Sequence, residues 1–231
     1  VTVAEPLVLL PGMNCTEQLW RPMLDRLGAD REVFTPVVDG SDLTDAVGRL
    51  LAALPPRFAL AGLSLGGIVA MALHRHAPQR ISRLALLDTN ALAPTAAQQS
   101  GWQRALDRLG DGLDARAYQA EILGLLVAPG HEPALADTVL QMGEQTGAAL
   151  LGRQLRIQQT RVDELPGLGR VAVPTLVLHG ELDQLCPAAR HQEIAGAVAG
   201  STLVQIPGAG HLSPLEAPDR VAVALREWLA G

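Results

Sequence analysis

Short apolar runs, each closed by turn residues, recur along this chain with helical patterns between them. The runs are LVLLPG (7–12), EVFTPVV (32–38), FALAG (58–62), SRLALLD (82–88), PTLVLHG (174–180) and STLVQIPG (201–208). None alternates apolar and polar residues cleanly, which is the pattern of strands buried on both faces. Residues 16–27, 43–54, 68–76, 188–198 and 218–229 repeat apolar residues at helical intervals, with Leu19, Met23, Leu24 and Leu27 forming one stripe. Strand–helix alternation of this kind predicts an α/β fold with a parallel sheet covered on both sides and right-handed crossovers. Ligands in such sheets bind beyond the carboxyl ends of the strands, so the chemistry belongs just after each apolar run.

One segment breaks the rhythm. From residue 91 to about 169 there is no strand pattern, only helical patches at 96–109, 115–127, 133–142 and 148–161, punctuated by Gly and Pro. The expected organisation is a core of residues 1–90 and 170–231, with 91–169 inserted as a helical lid. Leu106, Leu109, Leu113, Ile122, Leu123 and Leu126 read mainly as packing within that lid, with some lining an apolar acyl pocket. Arg153, Arg156 and Arg161 read first as a solvated helix face and second as ligands for a substrate carboxylate.

Ser64 is the one hydroxyl in the greasy stretch FALAGLSLGGIVAMALHRHAP, flanked by Gly62, Gly66 and Gly67. It follows the third apolar run and precedes a helix, so it sits on a sharp turn with backbone angles that side chains resist. Such a turn forces the positions two away into contact, and they must be nearly bare. This is the strand–turn–helix setting in which G-x-S-x-G marks a nucleophile; the plainer explanation is a serine capping a helix. The helix start would also aim its N–H dipoles at charge developing near Ser64.

A serine hydroxyl needs a base, and there are six histidines. His74 and His76 are expected near a solvated helix end, His131 in Pro-Gly punctuation, His191 on a polar helix face, and His179 packed at a strand end. His211, in the Gly-rich loop IPGAGHLSPLEAP after the last strand, is the candidate base. The acid that would orient it is Asp183 in HGELDQLCP, one strand earlier. Its rival is Asp88 in LALLDTN, and the chain order Ser, Asp, His fits both. Asp88 leads directly into the insertion, where a structural carboxylate would cap or hydrogen-bond the lid entrance. An oxyanion would need two N–H donors. The candidates are the amide of Leu65 and that of Met13 in LLPGMNCTEQLW, with Asn14 as second choice and Gly12 supplying the turn.

The 231 residues are 48% hydrophobic, enough for one sizeable core, and the net charge of −6 argues against non-specific nucleic-acid binding. Cys15 and Cys186 are the only cysteines, with neither a disulfide framework nor zinc-ligand spacing. They are expected several strands apart and unpaired. The opening VTVAEP lacks a basic start followed by an apolar core, and the longest apolar run, 58–73, is too short to span a bilayer. A soluble cytoplasmic protein is expected, acting on a small molecule, with no metal or other cofactor, no membrane partner and an undetermined oligomeric state.

Taken together, GLSLGG, LLPGMN, HGELD and GAGHLSPLEAP resemble the serine-dependent α/β-hydrolase superfamily, most closely its small esterase-like and enol-lactonase-like members, through nearly the whole chain except the insertion. The resemblance implies a mostly parallel sheet with helices on both faces. The sheet should have about six strands, because the chain starts almost at the oxyanion strand. It also implies a triad of Ser64, Asp183 and His211, with the Met13 and Leu65 amides as oxyanion hole, acting on a small or medium ester or lactone through an acyl-enzyme. Thioester hydrolysis, carbon–carbon bond hydrolysis and cofactor-free perhydrolase chemistry are the alternatives on the same residues. A ligand receptor retaining the triad is the alternative of another class. Many relatives carry His-Gly where this chain has Pro11-Gly12, which removes a brace of the oxyanion loop but not its backbone donor.

Overall fold

The computed structural model describes residues 4–28 and 31–231, so the first three residues of VTVAEP lie outside it. Its strands are β1 (Leu7–Leu10), β2 (Val33–Phe34), β3 (Phe58–Leu63), β4 (Ile81–Leu87), β5 (Thr175–Gly180) and β6 (Thr202–Ile206). They form one six-stranded sheet in the order β2-β1-β3-β4-β5-β6. Every neighbouring pair is parallel.

Period-two alternation sorts the strand residues into two apolar layers. Leu7, Leu9, Ala59, Ala61, Ala85, Leu87, Leu176 and Leu178 face one cluster, which α1 (Arg21–Leu27) and α10 (Pro218–Ala230) cover. Val8, Leu10, Phe58, Leu60, Leu84, Leu86 and Val177 face the other, covered by α2 (Leu43–Ala53), α3 (Leu65–His76) and α8 (Ala188–Ala197). Each fully buried Leu is worth ~1.5–3 kcal/mol of transfer free energy, which is why the central strands read as continuous apolar runs.

The edges depart from the expectation of burial on both faces. β2 keeps only two of the seven residues of EVFTPVV, because it has β1 alone as a neighbour. On the opposite edge of the sheet, Thr202, Leu203 and Gln205 of β6 are exposed. The first helical pattern also divides, into a 3-10 turn at Glu17–Leu19 followed by α1 with a proline in its first turn.

Between β4 and β5 run α4 (Ala96–Gly110), α5 (Ala115–Leu126), α6 (Glu132–Gln159) and the short α7 (Leu165–Leu168). The helical patches at 133–142 and 148–161 join in α6 across a break at Gly147, whose φ of 71° no helix accommodates. Ala105, Ala115, Leu151 and Leu155 give this segment a small core of its own, with Leu106 and Leu109 packed against it. Its two ends are stitched together by the Glu164 amide donating to Ala91 O at 2.8 Å. Glu164 in turn accepts Arg75 of α3 through both carboxylate oxygens, at 2.9 to 3.2 Å. Among the described residues, no helix is long and apolar enough to cross a membrane.

Candidate active site

Ser64 stands alone between the end of β3 and the start of α3, at φ 54° and ψ −115°. A serine resists that conformation by roughly 1–3 kcal/mol, so its surroundings must enforce it. Its amide donates to Leu87 O at 3.0 Å, and its carbonyl accepts the Thr89 hydroxyl at 2.7 Å. The glycines have a steric cause. A Cβ on Gly62 would lie 2.2 Å from Gly66 O, and one on Gly66 would lie 2.1 Å from Leu10 O. Gly67 instead makes room for the Thr89 side chain, 2.7 Å from where its Cβ would be. The first bond of α3 runs from the Ile68 amide to Ser64 O, so the Leu65 amide belongs to the unpaired N–H groups of the opening turn.

The loop after β1 turns differently from the expectation. Its left-handed residue is Asn14, at φ 59°, and not Gly12. The part Gly12 plays is close approach, since a Cβ there would stand 3.2 Å from Leu63 Cδ2 and 3.5 Å from Ser64 Cβ. The Asn14 amide donates to Gln154 Oε1 at 2.8 Å, which removes it as a second-choice oxyanion donor. The Asn14 side chain donates to Ala115 O and Gln119 Oε1 at 2.8 and 2.7 Å, tying the loop to the inserted helices. Met13 lines the cavity next to Ser64.

Asp183, in the loop after β5, accepts the Leu185 and Cys186 amides at Oδ1, both at 2.9 Å. Its Oδ2 pairs with His211 Nδ1 at 2.9 Å, leaving Nε2 as the ring's second nitrogen. Ser64 and His211 line one cavity of about 250 Å³. No hydrogen bond within 3.5 Å joins them among the described residues, and such contacts tighten when substrate binds. Burial opposes charge on both partners, but their mutual attraction prevails. The Asp183 carboxyl lies below its ordinary value, helped by its two amide donors, and the His211 imidazole lies above its own, helped further by Asp88 and Glu216.

Asp88 does not cap the entrance to the insertion. Fully buried at φ 45°, it accepts the Gly180 amide at 2.7 Å and the Ser213 hydroxyl at 2.5 Å, so it joins the end of β5 to the segment after His211. Burial, with the nearby Asp183 charge, holds its carboxyl well above the ordinary range.

Other placements were missed in the sequence. Glu216 accepts the Ala128, Gly210 and Leu212 amides at 2.8, 2.9 and 3.1 Å, bracketing His211 on both sides. Its signal was a carboxylate in the turn PLEAP just after the Gly-rich loop. His191 is not on a polar face. It is fully buried, stacks on His179 with ring centroids 4.7 Å apart, and accepts the Thr89 amide at Nε2. Burial and the neighbouring His179 push its pKa down to about 4. His74 is buried as well, although it lies near a helix end.

The inserted segment supplies the facing wall of the cavity, with Gln98, Trp102, Tyr118, Ile122, Leu126 and Gln158 on its helices and Arg161 just beyond α6. Arg161 is therefore not on a solvated helix face, whereas Arg153 is half-exposed and pairs with Asp39. Cys15 and Cys186 are both free and buried, and burial raises the Cys15 thiol to about 12. Asp183, Cys186 and His211 bring their ligand atoms within 4.8 Å of one another. As a metal site the set fits poorly, because two of its members are bonded to each other and burial holds the Cys186 thiol protonated.

A family model described as the alpha/beta hydrolase family matches residues 7–224. The pimeloyl-[acyl-carrier protein] methyl ester esterase of Aromatoleum aromaticum is 27% identical, over 97% of this chain and 98% of its own. A thermophilic esterase from Thermogutta terrifontis, solved with malate bound, superposes with a TM-score of 0.84 at 26% identity, covering 99% of this chain and 90% of that one. The enol-lactonase of Burkholderia xenovorans LB400 shares the fold with a TM-score of 0.87 at 20% identity, covering 99% and 92% of the two chains.

Proposed function

Because the chain belongs to the alpha/beta hydrolase family, we propose that it cleaves a small or medium carboxylic ester or lactone through an acyl-enzyme. Ser64 Oγ attacks the carbonyl carbon while His211 Nε2 takes its proton. The Met13 and Leu65 amides receive the oxyanion, each such donor commonly contributing ~2.7–4 kcal/mol to the barrier reduction. His211 then gives the proton to the departing alkoxide, deprotonates a water that attacks the acyl carbonyl, and returns the proton to Ser64 as the acid leaves. Asp183 holds the imidazole in the tautomer with its proton on Nδ1 and stabilises the imidazolium. The segment 91–169 serves as the lid.

The observation that carries this reading is the Asp183–His211 pair at 2.9 Å, whose imidazole shares a cavity with a serine on a strained strand–helix turn. The cavity volume of about 250 Å³ suits a small acyl group. The methyl ester activity of the Aromatoleum relative supports a short alcohol as leaving group.

The test is hydrolysis of p-nitrophenyl acetate and butyrate and of methyl esters by the wild type and by Ser64→Ala. Loss of kcat by about 10⁴-fold or more is expected, and unchanged turnover would remove Ser64 from the mechanism. Labelling of Ser64 by a fluorophosphonate without turnover of any ester, lactone or thioester would instead make the cavity a binding site.

A further inference from the structure

Arg161 is the most deeply buried arginine among the described residues, only 6% exposed, and it lines the cavity that holds Ser64 and His211. A guanidinium carries five N–H donors in a fixed plane. Nη1 donates to Gln158 Oε1 at 2.9 Å and Nη2 to Gln98 Oε1 at 3.0 Å, both neutral acceptors. Nε is shielded from solvent and has no acceptor. The Trp102 ring lies 5.1 Å from the guanidinium carbon and covers the cation.

Nothing nearby balances this charge. No Asp or Glu lines the cavity, and Arg161 forms no ion pair among the described residues. The more exposed Arg75 and Arg153 do have carboxylate partners, Glu164 and Asp39. A buried cation without an anion is costly to maintain, and burial accordingly pushes its pKa down. Planar N–H donors match the oxygens of a carboxylate or a phosphate, and a carboxylate's single charge balances that of one guanidinium.

We propose that Arg161 is the subsite for a free carboxylate, so that the preferred substrate is an ester or lactone carrying a second, unesterified carboxyl group. This names the substrate class of the site and rests on the hydrolase reading given above. Trp102 fixes the guanidinium plane, Gln98 and Gln158 occupy two of its N–H groups, and the incoming carboxylate accepts from those remaining. The ester carbonyl of the same molecule then lies at Ser64, and hydrolysis yields a dicarboxylic acid and an alcohol from the ester, or a single hydroxy dicarboxylic acid from the lactone.

The test compares the monomethyl esters of succinic through suberic acid with the same esters bearing a primary amide in place of the free carboxyl. The wild type is expected to favour the best acidic member by about tenfold to a hundredfold in kcat/KM, the range of a hydrogen-bonded charge. In Arg161→Met that preference ratio falls to near one, and Arg161→Lys retains part of it. A ratio near one in the wild type, or a ratio unchanged in Arg161→Met, overturns the proposal while leaving ester hydrolysis standing. Should neither series be hydrolysed, p-nitrophenyl butyrate tells whether the hydrolase reading itself fails, and direct binding decides the subsite. Titration by tryptophan fluorescence should show hexanoate binding at least tenfold more tightly than hexanamide, and equal binding would overturn the subsite. Should Arg161→Met not fold, the wild-type ratio and Arg161→Lys decide the matter.

Discussion

The two walls of the cavity are built by different means. On the sheet side, backbone constraint does the positioning. Ser64 is held at a strained φ by contacts that leave no room for a Cβ at Gly62 or Gly66, and the His211 loop is pinned by three amides on Glu216. On the inserted side, the lining is side chains on helices (Trp102, Tyr118, Ile122) together with Arg161 just beyond α6; Trp102 and Tyr118 pack on a small separate core, and Ile122 on the larger one. A wall fixed by backbone geometry suits a reaction whose atoms must be placed within tenths of an ångström. A wall of side chains suits selection among substrates, because it changes by substitution without disturbing the fold. Substitutions on the first wall should therefore cost orders of magnitude in rate or abolish folding, and those on the second should redistribute preference.

Among the residues that support Ser64, the largest effect is expected at the carboxylate behind the imidazole. Asp183→Asn leaves the packing in place but favours the wrong tautomer, and stopped-flow or steady-state assays should show kcat lower by about 10⁴-fold. The pH profile sharpens this. Burial lowers the His211 pKa, but Asp183, Asp88 and Glu216 together raise it above the ordinary 6.5. A base works only when unprotonated, so wild-type activity should fall as pH drops through a value higher than 6.5, and in Asp183→Asn the acid limb should move down. An acid limb unmoved by that substitution would separate Asp183 from the titration.

Gly66→Ala is expected next. Its Cβ would meet Leu10 O at 2.1 Å, and since backbone cannot swing aside as a side chain can, a loss of about 3 kcal/mol or more is expected from urea unfolding. Near-wild-type stability would show the turn to be looser than described. Glu216→Ala comes third. It strands three buried amides at about 1–3 kcal/mol each, less whatever water recovers, and it should lower kcat more than it changes KM. A pure KM effect would assign Glu216 to the cavity rather than to His211. The smallest effect belongs to the outer surface of the inserted segment. Arg153 and Asp39 are 40% and 35% exposed, so Arg153→Ala should change stability by less than about 1 kcal/mol and leave ester hydrolysis unaltered.

How much of this was legible in the sequence follows the range of the interactions. Strand centres, the bare positions around Ser64 and the inserted helices are written in neighbouring residues, through apolar runs, glycine spacing and helical periodicity. The parts that escaped depend on contacts between distant segments. Asp88 meets Gly180 and Ser213, and Asn14 meets Ala115, Gln119 and Gln154. No local pattern encodes such partners. His191 looked polar because Arg190, Gln192 and Glu193 surround it in sequence, yet the face of α8 that carries it turns inward to stack on His179 of β5. Arg161 continues the helical pattern of 148–161, yet α6 ends at Gln159 and this residue lines the cavity instead.

The most direct measurement is intact-protein and peptide mass spectrometry after treatment of the wild type with a fluorophosphonate at neutral pH. A single adduct is expected, mapped to the peptide containing Ser64 and formed far more slowly in His211→Ala. An adduct on another residue, or equal labelling rates in the two proteins, would contradict the roles given to Ser64 and His211.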